Sequence, residues 1–443
     1  HRIFGSALWI TVQEEQEADR RHESGCGGGE GMLIAHRIAL NPNKAQALYF
    51  ARAAGTARVA YNWALAQWKE QAQDWYFSGK LAPFPSDISL RKDLNSIKRE
   101  EFPWMLEVSK CVVQEAIIDL GIAFRNYKSP THKCRYPRFK SKAKSAPSFC
   151  AANEAGTFRA DGKRIKLPVI GWIKMREAVR FCGPLKRATI SKTAGRWFVS
   201  ILIDVDGIQK VERPAIPRVV GVDLGCKTLA MLSTGEAVTG PKAHKKALAR
   251  IRRANKALSR KVGARKGEKK SANFRKAKAR LAKVHARVAN VRRDAHHKLT
   301  HRLVHEFDKI GIEDLNVKGM MANGKLARTV ADGSFGEFRR MLEYKAQWYG
   351  AQIVVANRFY PSSKTCSVCG VIHPEIVLGV DKWHCGDCGA DHDRDLNAAI
   401  NLKHMAASSA VSACGERSAD VERKPRVKLR SVKQEDNLKL KAA

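Results

Sequence analysis

Two cysteine pairs constrain this chain more than any other feature. Cys366-Ser-Val-Cys369 and Cys385-Gly-Asp-Cys388 are separated by fifteen residues. Four thiolates at that spacing suit a tetrahedral structural Zn²⁺ site. Gly370 and Gly389 follow the pairs and allow the tight turns by which backbone wraps sulfur. The alternatives are two disulfides or four free thiols. His384 and His392 lie close by, but four cysteines already fill the coordination shell, so both read as bystanders. The pairs fall between a strand-like segment, GAQIVVANR, and a helical one, DRDLNAAINLKHMAA. The zinc site is therefore expected to be an insertion into a larger domain. The other seven cysteines (Cys26, Cys111, Cys134, Cys150, Cys182, Cys226 and Cys414) are scattered singly, which suits a reducing compartment.

Charge is the second constraint. The 443 residues carry 81 Lys+Arg against 43 Asp+Glu, a formal net charge of +38. With 44% hydrophobic residues the chain folds, and its length allows two or three domains. So large an excess needs a polyanion, and nucleic acid is the default partner. A ribosomal or histone-like protein would share the charge, but 443 residues and nine Trp exceed what charge neutralisation requires. No apolar run approaches the ~18 residues of a membrane span, which excludes an integral membrane protein and a membrane partner. The N-terminus lacks a basic n-region and a small-residue cleavage site, which argues against secretion. The first Met is Met32, after a glycine-rich stretch, so residues 1–31 are expected to be a poorly folded extension.

Periodicity divides the rest. LIAHRIAL (33–40) reads as a strand, and Asn43 as the N-cap of a helix that Gly55 breaks in two. A second helical block runs from Ser86 to Tyr127, interrupted at Pro103. Short strands then follow in RIKLPVIGWIKM, REAVRF, PLKRATISKT and RWFVSILIDV, as in a small antiparallel sheet or barrel. Pro214 and Pro217 mark a linker. Beyond it, VVGVDLGCKTLAMLSTGEAV gives two strands. Residues 242–293 hold 21 Lys+Arg and one acid, Glu268. Leu281, Val284, Val288 and Val291 keep an apolar stripe there, as in a helical pair with a basic outer face. FDKIGIEDL reads as a strand, 334–350 as an amphipathic helix, and GAQIVVANR as a buried strand. The tail from Ser408 is basic, without periodicity, and is expected to be disordered.

Three acids stand where strands end or a helix opens: Asp223 in GVDLG, Glu313 in IGIEDL and Asp395 in DRDLNAA. Singly, each has a plain structural reading as a turn residue, a solvated strand end, or a helix cap, the last shared between Asp393 and Asp395. Jointly they are more informative, because a sheet can bring such ends together. Hard carboxylate oxygens suit Mg²⁺. Two such ions about 3.5–4 Å apart can activate water and stabilise the leaving oxygen of a phosphodiester.

These segments resemble a family. GVDLGCKTLAMLSTGE, IGIEDLNVKGM and YPSSKTCSVCG…WHCGDCGADHDRDLNAAINL are similar to the three RuvC-like segments and zinc ribbon of TnpB, the transposon-encoded RNA-guided nucleases related to compact type V CRISPR effectors. RIALNPNKAQ, VAYNWALAQW, YPRFKSK and LPVIGWIKM are similar to its wedge and recognition segments. Residues 1–31 match nothing in the family. The resemblance implies a multidomain α/β and α+β chain: an RNase H-like RuvC domain (218–360 and 391–407) with a zinc-ribbon insertion (361–390), a β-barrel wedge (32–42 and 129–217) and a helical recognition domain (43–128), with a disordered tail (408–443). It implies catalytic, Mg²⁺-binding roles for Asp223, Glu313 and Asp395, and Zn²⁺ on Cys366, Cys369, Cys385 and Cys388. It also implies two Mg²⁺, one structural Zn²⁺ and a guide RNA as cofactors, double-stranded DNA as target, a monomer, and a cytoplasmic, nucleoid-associated location in a prokaryote.

In such a nuclease the guide RNA pairs with one DNA strand, and the protein reads a short flanking motif. Lys110 and Gln114, four apart on one helix face, are the candidate flank contacts; the plain reading is an exposed helix face. Tyr136, Arg138, Phe139 and Lys140 of YPRFKSK mix stacking rings with charge and could grip RNA, or their rings could be core. Arg252, Arg253, Lys256, Arg260, Lys276, Arg280 and Arg287 of the basic pair would line the nucleic-acid channel. Two other functions stay open on the residues alone: a non-cleaving guide-dependent DNA-binding or transposition accessory protein, and a DNA-only transposase.

Overall fold

The computed structural model describes residues 32–408, apart from 133, 154, 155, 207, 209, 262–269, 377 and 378. The readings for 1–31 and for the tail beyond Ser408 lie outside the described residues. Strand β1 (Met32–Ala39) leads to Asn43, whose side chain accepts from the Gln46 N–H at 2.8 Å while its own N–H donates to Gln46 Oε1 at 3.1 Å. This capping box starts α1 (Lys44–Phe77). The expected break at Gly55 does not occur: α1 is one helix of 34 residues. Gly55 faces open space, with Arg58 Nη2 the nearest atom at 4.0 Å, and Ala53, Ala54, Thr56 and Ala57 beside it are buried. Packing of that face outweighs a glycine cost of about 1 kcal/mol. Helix α2 (Asp87–Ile97), a 3₁₀ turn opened by Pro103, and α3 (Lys110–Lys128) follow.

Strands β2 (Ser148–Ala152), β6 (Leu185–Thr193) and β7 (Arg196–Val205) join β1 in an antiparallel sheet of order β1-β7-β6-β2. A two-residue turn, Ala194-Gly195, with both φ positive, links β6 to β7. A separate sheet holds β3 (Arg159–Asp161), β4 (Arg164–Leu167) and β5 (Gly171–Lys174). REAVRF forms no strand, against expectation. The Arg176 N–H is taken by the Ala39 carbonyl at 2.8 Å and the Arg180 N–H by His36 Nδ1 at 3.3 Å, so the segment runs back beside β1 on one backbone and one side-chain bond, without a strand ladder.

Nor do these strands close into a barrel among the described residues; β1 and β2 remain opposite edges of an open sheet. The helices supply the second wall. Phe50 and Leu65 of α1 and Val112, Ile117 and Leu120 of α3 share one apolar core with Ile34, Ile38, Ile190, Val199 and Ile201 of the sheet. Trp68 stacks on Phe124 at 4.2 Å within it. Inside this interface Arg187 of β6 pairs with Glu115 and Asp119 of α3 at 2.9 and 2.7 Å.

The second half is built on β8 (Val219–Asp223), β9 (Ala230–Leu232), β10 (Ala237–Val238), β11 (Lys309–Glu313) and β12 (Gln352–Ala356), in order β10-β9-β8-β11-β12. Strands β8, β11 and β12 are parallel; β9 runs against them, and β10 runs antiparallel to β9. Helices α4 (Ala243–Ser259) and α5 (Ala272–Glu306) lie between β10 and β11. The next connection carries α6 (Val317–Ala322), α7 (Ala327–Gly333) and α8 (Phe335–Tyr349). A small hairpin, β13 (Lys382–His384) and β14 (Asp391–Asp393), precedes α9 (Arg394–Ser408). Strand β12 is not buried as expected: it is the outer strand, flanked on one side only, and leaves Val355 exposed.

A salt-bridged carboxylate fastens the linker to this sheet. Asp308, just before β11, receives Arg213 Nη1 at 2.7 Å, Arg218 Nε at 3.1 Å and the Arg218 backbone N–H at 2.7 Å. Burial pushes its carboxyl up, but the hydrogen bonds from Arg218 and Arg213 outweigh that and bring it to about 2 from an ordinary 3.8. A depressed carboxyl adds stability above its unfolded value and loses it as pH falls through the folded one. Asp308→Asn should therefore lower stability by on the order of 1–2 kcal/mol near neutral pH, allowing for solvent screening. Urea titrations should show the gap from wild type closing as pH falls from 3.8 toward about 2.

Candidate active site and thiolate centre

The alternation of β8 and β11 places two of the three acids, and helix α9 brings the third. Val220, Val222, Ile310 and Ile312 point to one face, where they meet Leu299, Leu303 and Val304 of α5 and Phe338 and Leu342 of α8. Gly221 and Gly311, paired in register, open the other face to α9. A Cβ on Gly221 would lie 1.9 Å from the Ala399 carbonyl oxygen, and one on Gly311 would lie 2.3 Å from that of Leu402. Only glycine permits this approach. Two residues further along each strand, on the same face, come Asp223 and Glu313. Four residues toward the N-terminus of α9 from Ala399 comes Asp395. Two strand residues and four helix residues both span about 6 Å, so the three acids arrive level at the ends of the strands.

Asp393 is the helix cap: its Oδ1 accepts from the N–H groups of Asp395 and Leu396, both at 3.1 Å. That leaves Asp395 free of the capping role. Burial of the Asp223 carboxyl, followed by the charges of Glu313 and Asp395, pushes it up to about 8 against the pull of Arg394. The three acids thus share one field. Among the described residues their oxygens do not all come within 4.8 Å of one another, looser than the cysteine group below. A recess of about 200 Å³ opens beside Glu313, walled by Asp314, Asn316, Asn357, Arg358 and Tyr360.

Cys366, Cys369, Cys385 and Cys388 do converge, with their sulfurs all within 4.8 Å. Cys366 lies 3.6 Å from Cys388, and Cys369 lies 3.7 Å from Cys385. Tetrahedral Zn–S bonds of 2.3 Å put sulfurs about 3.8 Å apart, so the group fits that ion, and all four cysteines are free of disulfides. Burial opposes ionisation of Cys366, but N–H groups from Cys369 and Val368 aimed at its sulfur hold the thiol at about 6. His392 is no bystander: its Nε2 lies 3.1 Å from Cys366 Sγ, and His373 Nε2 lies 3.2 Å from Cys385 Sγ. Trp383 sits between the two rings. His384 is exposed and pairs with Asp391.

The sequence reading missed a further set of residues. Ser362 Oγ donates to Glu313 Oε1. Asn397 and Asn401, buried on α9, donate to the Thr365 carbonyl, both at 2.7 Å. The signals were present: a glycine two before each strand acid, and asparagines two and six after Asp395.

The expected nucleic-acid residues are differently placed. Lys110 is exposed in the first turn of α3, and Gln114 is half-buried one turn on. Tyr136 and Phe139 are exposed, with Lys69 Nζ 4.7 Å over the Phe139 ring, and Arg138 is exposed as well. Lys140 turns inward: its Nζ lies 3.6 Å over the Tyr61 ring, and Asn62 clamps its backbone N–H and carbonyl, each at 2.8 Å. Arg252, Arg253 and Lys256 of α4, Arg260 at its C-cap, and Lys276, Arg280 and Arg287 of α5 are all exposed. No helix among the described residues is long and apolar enough to cross a membrane.

A mixed sheet carries acids at its strand ends, and a four-thiolate insertion separates its last strand from α9; comparison with known proteins places this architecture. Residues 335–402 match the family described as "Cas12f1-like, TNB domain", residues 200–324 "Probable transposase", and residues 32–74 "Helix-turn-helix domain". The last span is, in this chain, one strand and part of one long helix. A Streptomyces pristinaespiralis protein named "Putative RNA-guided DNA endonuclease" is 38% identical over 410 residues, covering 90% of this chain and 96% of that one. InsQ of Escherichia coli, named likewise, is 31% identical over 87% of this chain and 94% of its own. Among solved structures, a Cas12f1–sgRNA–target DNA complex has TM-score 0.46 at 15% identity, covering 80% of this chain and 82% of that one. The chain belongs to the TnpB family of IS605-type transposon proteins.

The glycine seat generates a test. Gly221→Ala adds a methyl with no space to occupy, at a cost of about 1–3 kcal/mol or more. Its melting temperature should fall, and crosslinking between cysteines placed at Asp223 and Asp395 should become inefficient. Gly324→Ala, open on all sides, should leave both unchanged.

Proposed function

We propose that this chain is an RNA-guided endonuclease that cuts double-stranded DNA beside a short flanking motif. The observation that carries the reading is the convergence of Asp223, Glu313 and Asp395 at one end of a sheet, inside a protein of net charge +38. Relatives covering most of the chain bear the matching name. The donor set fits Mg²⁺: it is all carboxylate oxygen, from two strand ends and the first turn of one helix. Two Mg²⁺ held by these acids would supply water activation and stabilisation of the leaving oxygen.

The rest is done by the chain's own residues. The exposed cations of α4 and α5 hold phosphates, and the positive N-terminus of α9 faces the acids and eases their repulsion. Lys110 and Gln114 read the flank, while Tyr136 and Phe139 offer rings to unpaired bases. Lys140 serves as an anchor that presets their loop. Cys366, Cys369, Cys385 and Cys388 would hold one structural Zn²⁺, and the protein acts as a cytoplasmic, nucleoid-associated monomer.

The decisive experiment uses protein purified with the RNA from its native locus. Alanine at Asp223, Glu313 or Asp395 should abolish cleavage of a guide-matched duplex while guide-dependent DNA binding persists, since the phosphate grip lies elsewhere. Substantial cutting by Asp395→Ala would sink the assignment, and wild-type binding without cutting would favour a non-cleaving accessory role. Cys366→Ser and Cys388→Ser should lower zinc content and melting temperature together. Well-folded wild-type protein free of zinc by elemental analysis would contradict that part.

A further inference from the structure

Ser362 is 4% exposed and has no part in the chemistry above. Its hydroxyl donates to Glu313 Oε1, and its carbonyl accepts from Asn401 Nδ2 at 2.7 Å and Asn397 Nδ2 at 3.5 Å. The same two amides reach the Thr365 carbonyl, and Asn397 Oδ1 accepts the Ser367 N–H at 2.9 Å. Thr365 and Ser367 flank Cys366. Asn397 and Asn401 are 1% and 3% exposed and stand one turn apart on α9, the helix that carries Asp395. A continuous chain of hydrogen bonds, buried at its centre and half-buried at its ends, therefore runs from Glu313 to both sides of a cysteine in the thiolate centre.

We propose that Ser362 is a positioning residue that fixes the Glu313 carboxylate and couples its orientation to the folding of the thiolate centre. This rests on the metal-site reading above. A glutamate at a strand end has rotatable bonds that must be frozen before its oxygens bind a cation, and a buried donor on one oxygen freezes them in advance. The donor is itself held at its carbonyl by two asparagines, and these are placed by the helix that the glycines seat. The insertion thereby acts on the acid site as well as on its own fold. Outer-shell donors of this kind are worth about 10- to 100-fold in metal affinity.

The test follows Mn²⁺ binding to the full-length, RNA-freed protein by electron paramagnetic resonance, with Asp223→Asn as the background. Ser362→Ala should weaken the Asp223-dependent Mn²⁺ affinity about 10- to 100-fold and leave zinc content unchanged. Its guided cleavage should recover when Mg²⁺ is raised, so that the apparent metal requirement moves and the maximal rate does not. Ser362→Thr, which keeps the hydroxyl, should titrate near wild type. Should its methyl unfold the protein, Ser362→Cys gives a volume-matched side chain with a weak donor and should behave like Ser362→Ala. Asn401→Ala should weaken Mn²⁺ binding in the wild-type background and add nothing to Ser362→Ala.

Unchanged Mn²⁺ affinity in Ser362→Ala would overturn the proposal. So would lost zinc together with cleavage that raised Mg²⁺ does not restore, which would make the residue merely structural. Additive losses from Asn401→Ala would overturn the coupling. Wild-type cleavage with unaltered Mn²⁺ binding in Ser362→Ala sinks this inference alone. Mn²⁺ binding weakened by Ser362→Ala, with no guided cleavage by the wild type, sinks the endonuclease reading and leaves this one standing.

Discussion

Helix α9 lies directly on the backbone of β8 and β11, and the acid site depends on that contact. The seat exists because Gly221 and Gly311 fall opposite each other in register, leaving the Ala399 and Leu402 carbonyls nothing to strike. The strand period then fixes that the residue two further on faces the same helix. A helix that close cannot tilt or slide without colliding with the sheet, so the height of Asp395 over Asp223 and Glu313 is set by backbone contact instead of by side-chain packing. The apolar face of the sheet, pressed on α5 and α8, supplies the cohesive energy, and the glycine face supplies the geometry.

The same helix settles a conflict of charge. Three carboxylates at one end of a sheet repel, and burial together with the charges of Glu313 and Asp395 raises the Asp223 carboxyl, against a partial pull from Arg394. The fold tolerates this because other demands on α9 are met: Asp393 caps it, and Asn397 and Asn401 occupy its buried polar face.

Much of this was legible in the residues. The order of the acidic motifs, the cysteine spacing and the Asn43 cap are local signals, and each is read from a few adjacent positions. The failures have a common cause in long-range packing. Gly55 lacks a side chain but borrows the burial of its neighbours. The first sheet stays open, its face covered by α1 and α3 through one shared apolar core instead of by further strands. REAVRF has strand-like composition, yet its amides are claimed by Ala39 and His36. Lys140 looks like a phosphate ligand in a basic segment, and only the placement of Tyr61 and Asn62, 78 residues upstream in the case of Asn62, turns it inward. Composition also hid His392, whose role depends on which sulfur it meets. The glycine pair was within reach of sequence reasoning, since both stand two before an acid.

The basic helices α4 and α5 have a thermodynamic consequence. The pair is held to itself by a small cluster, Ala243, Ile251 and Val288, while its outer faces crowd like charges together. Left alone, that repulsion works against the folded arrangement. A polyanion bound to the folded chain and not to the unfolded one removes the repulsion and adds its own binding free energy to stability, in proportion to the logarithm of its concentration over its dissociation constant. On the proposed reading the boundary between fold and ligand is blurred for this hairpin: a phosphate backbone lying on it would be in effect a missing structural element, and the stability of the protein would become a function of how much nucleic acid the solution contains.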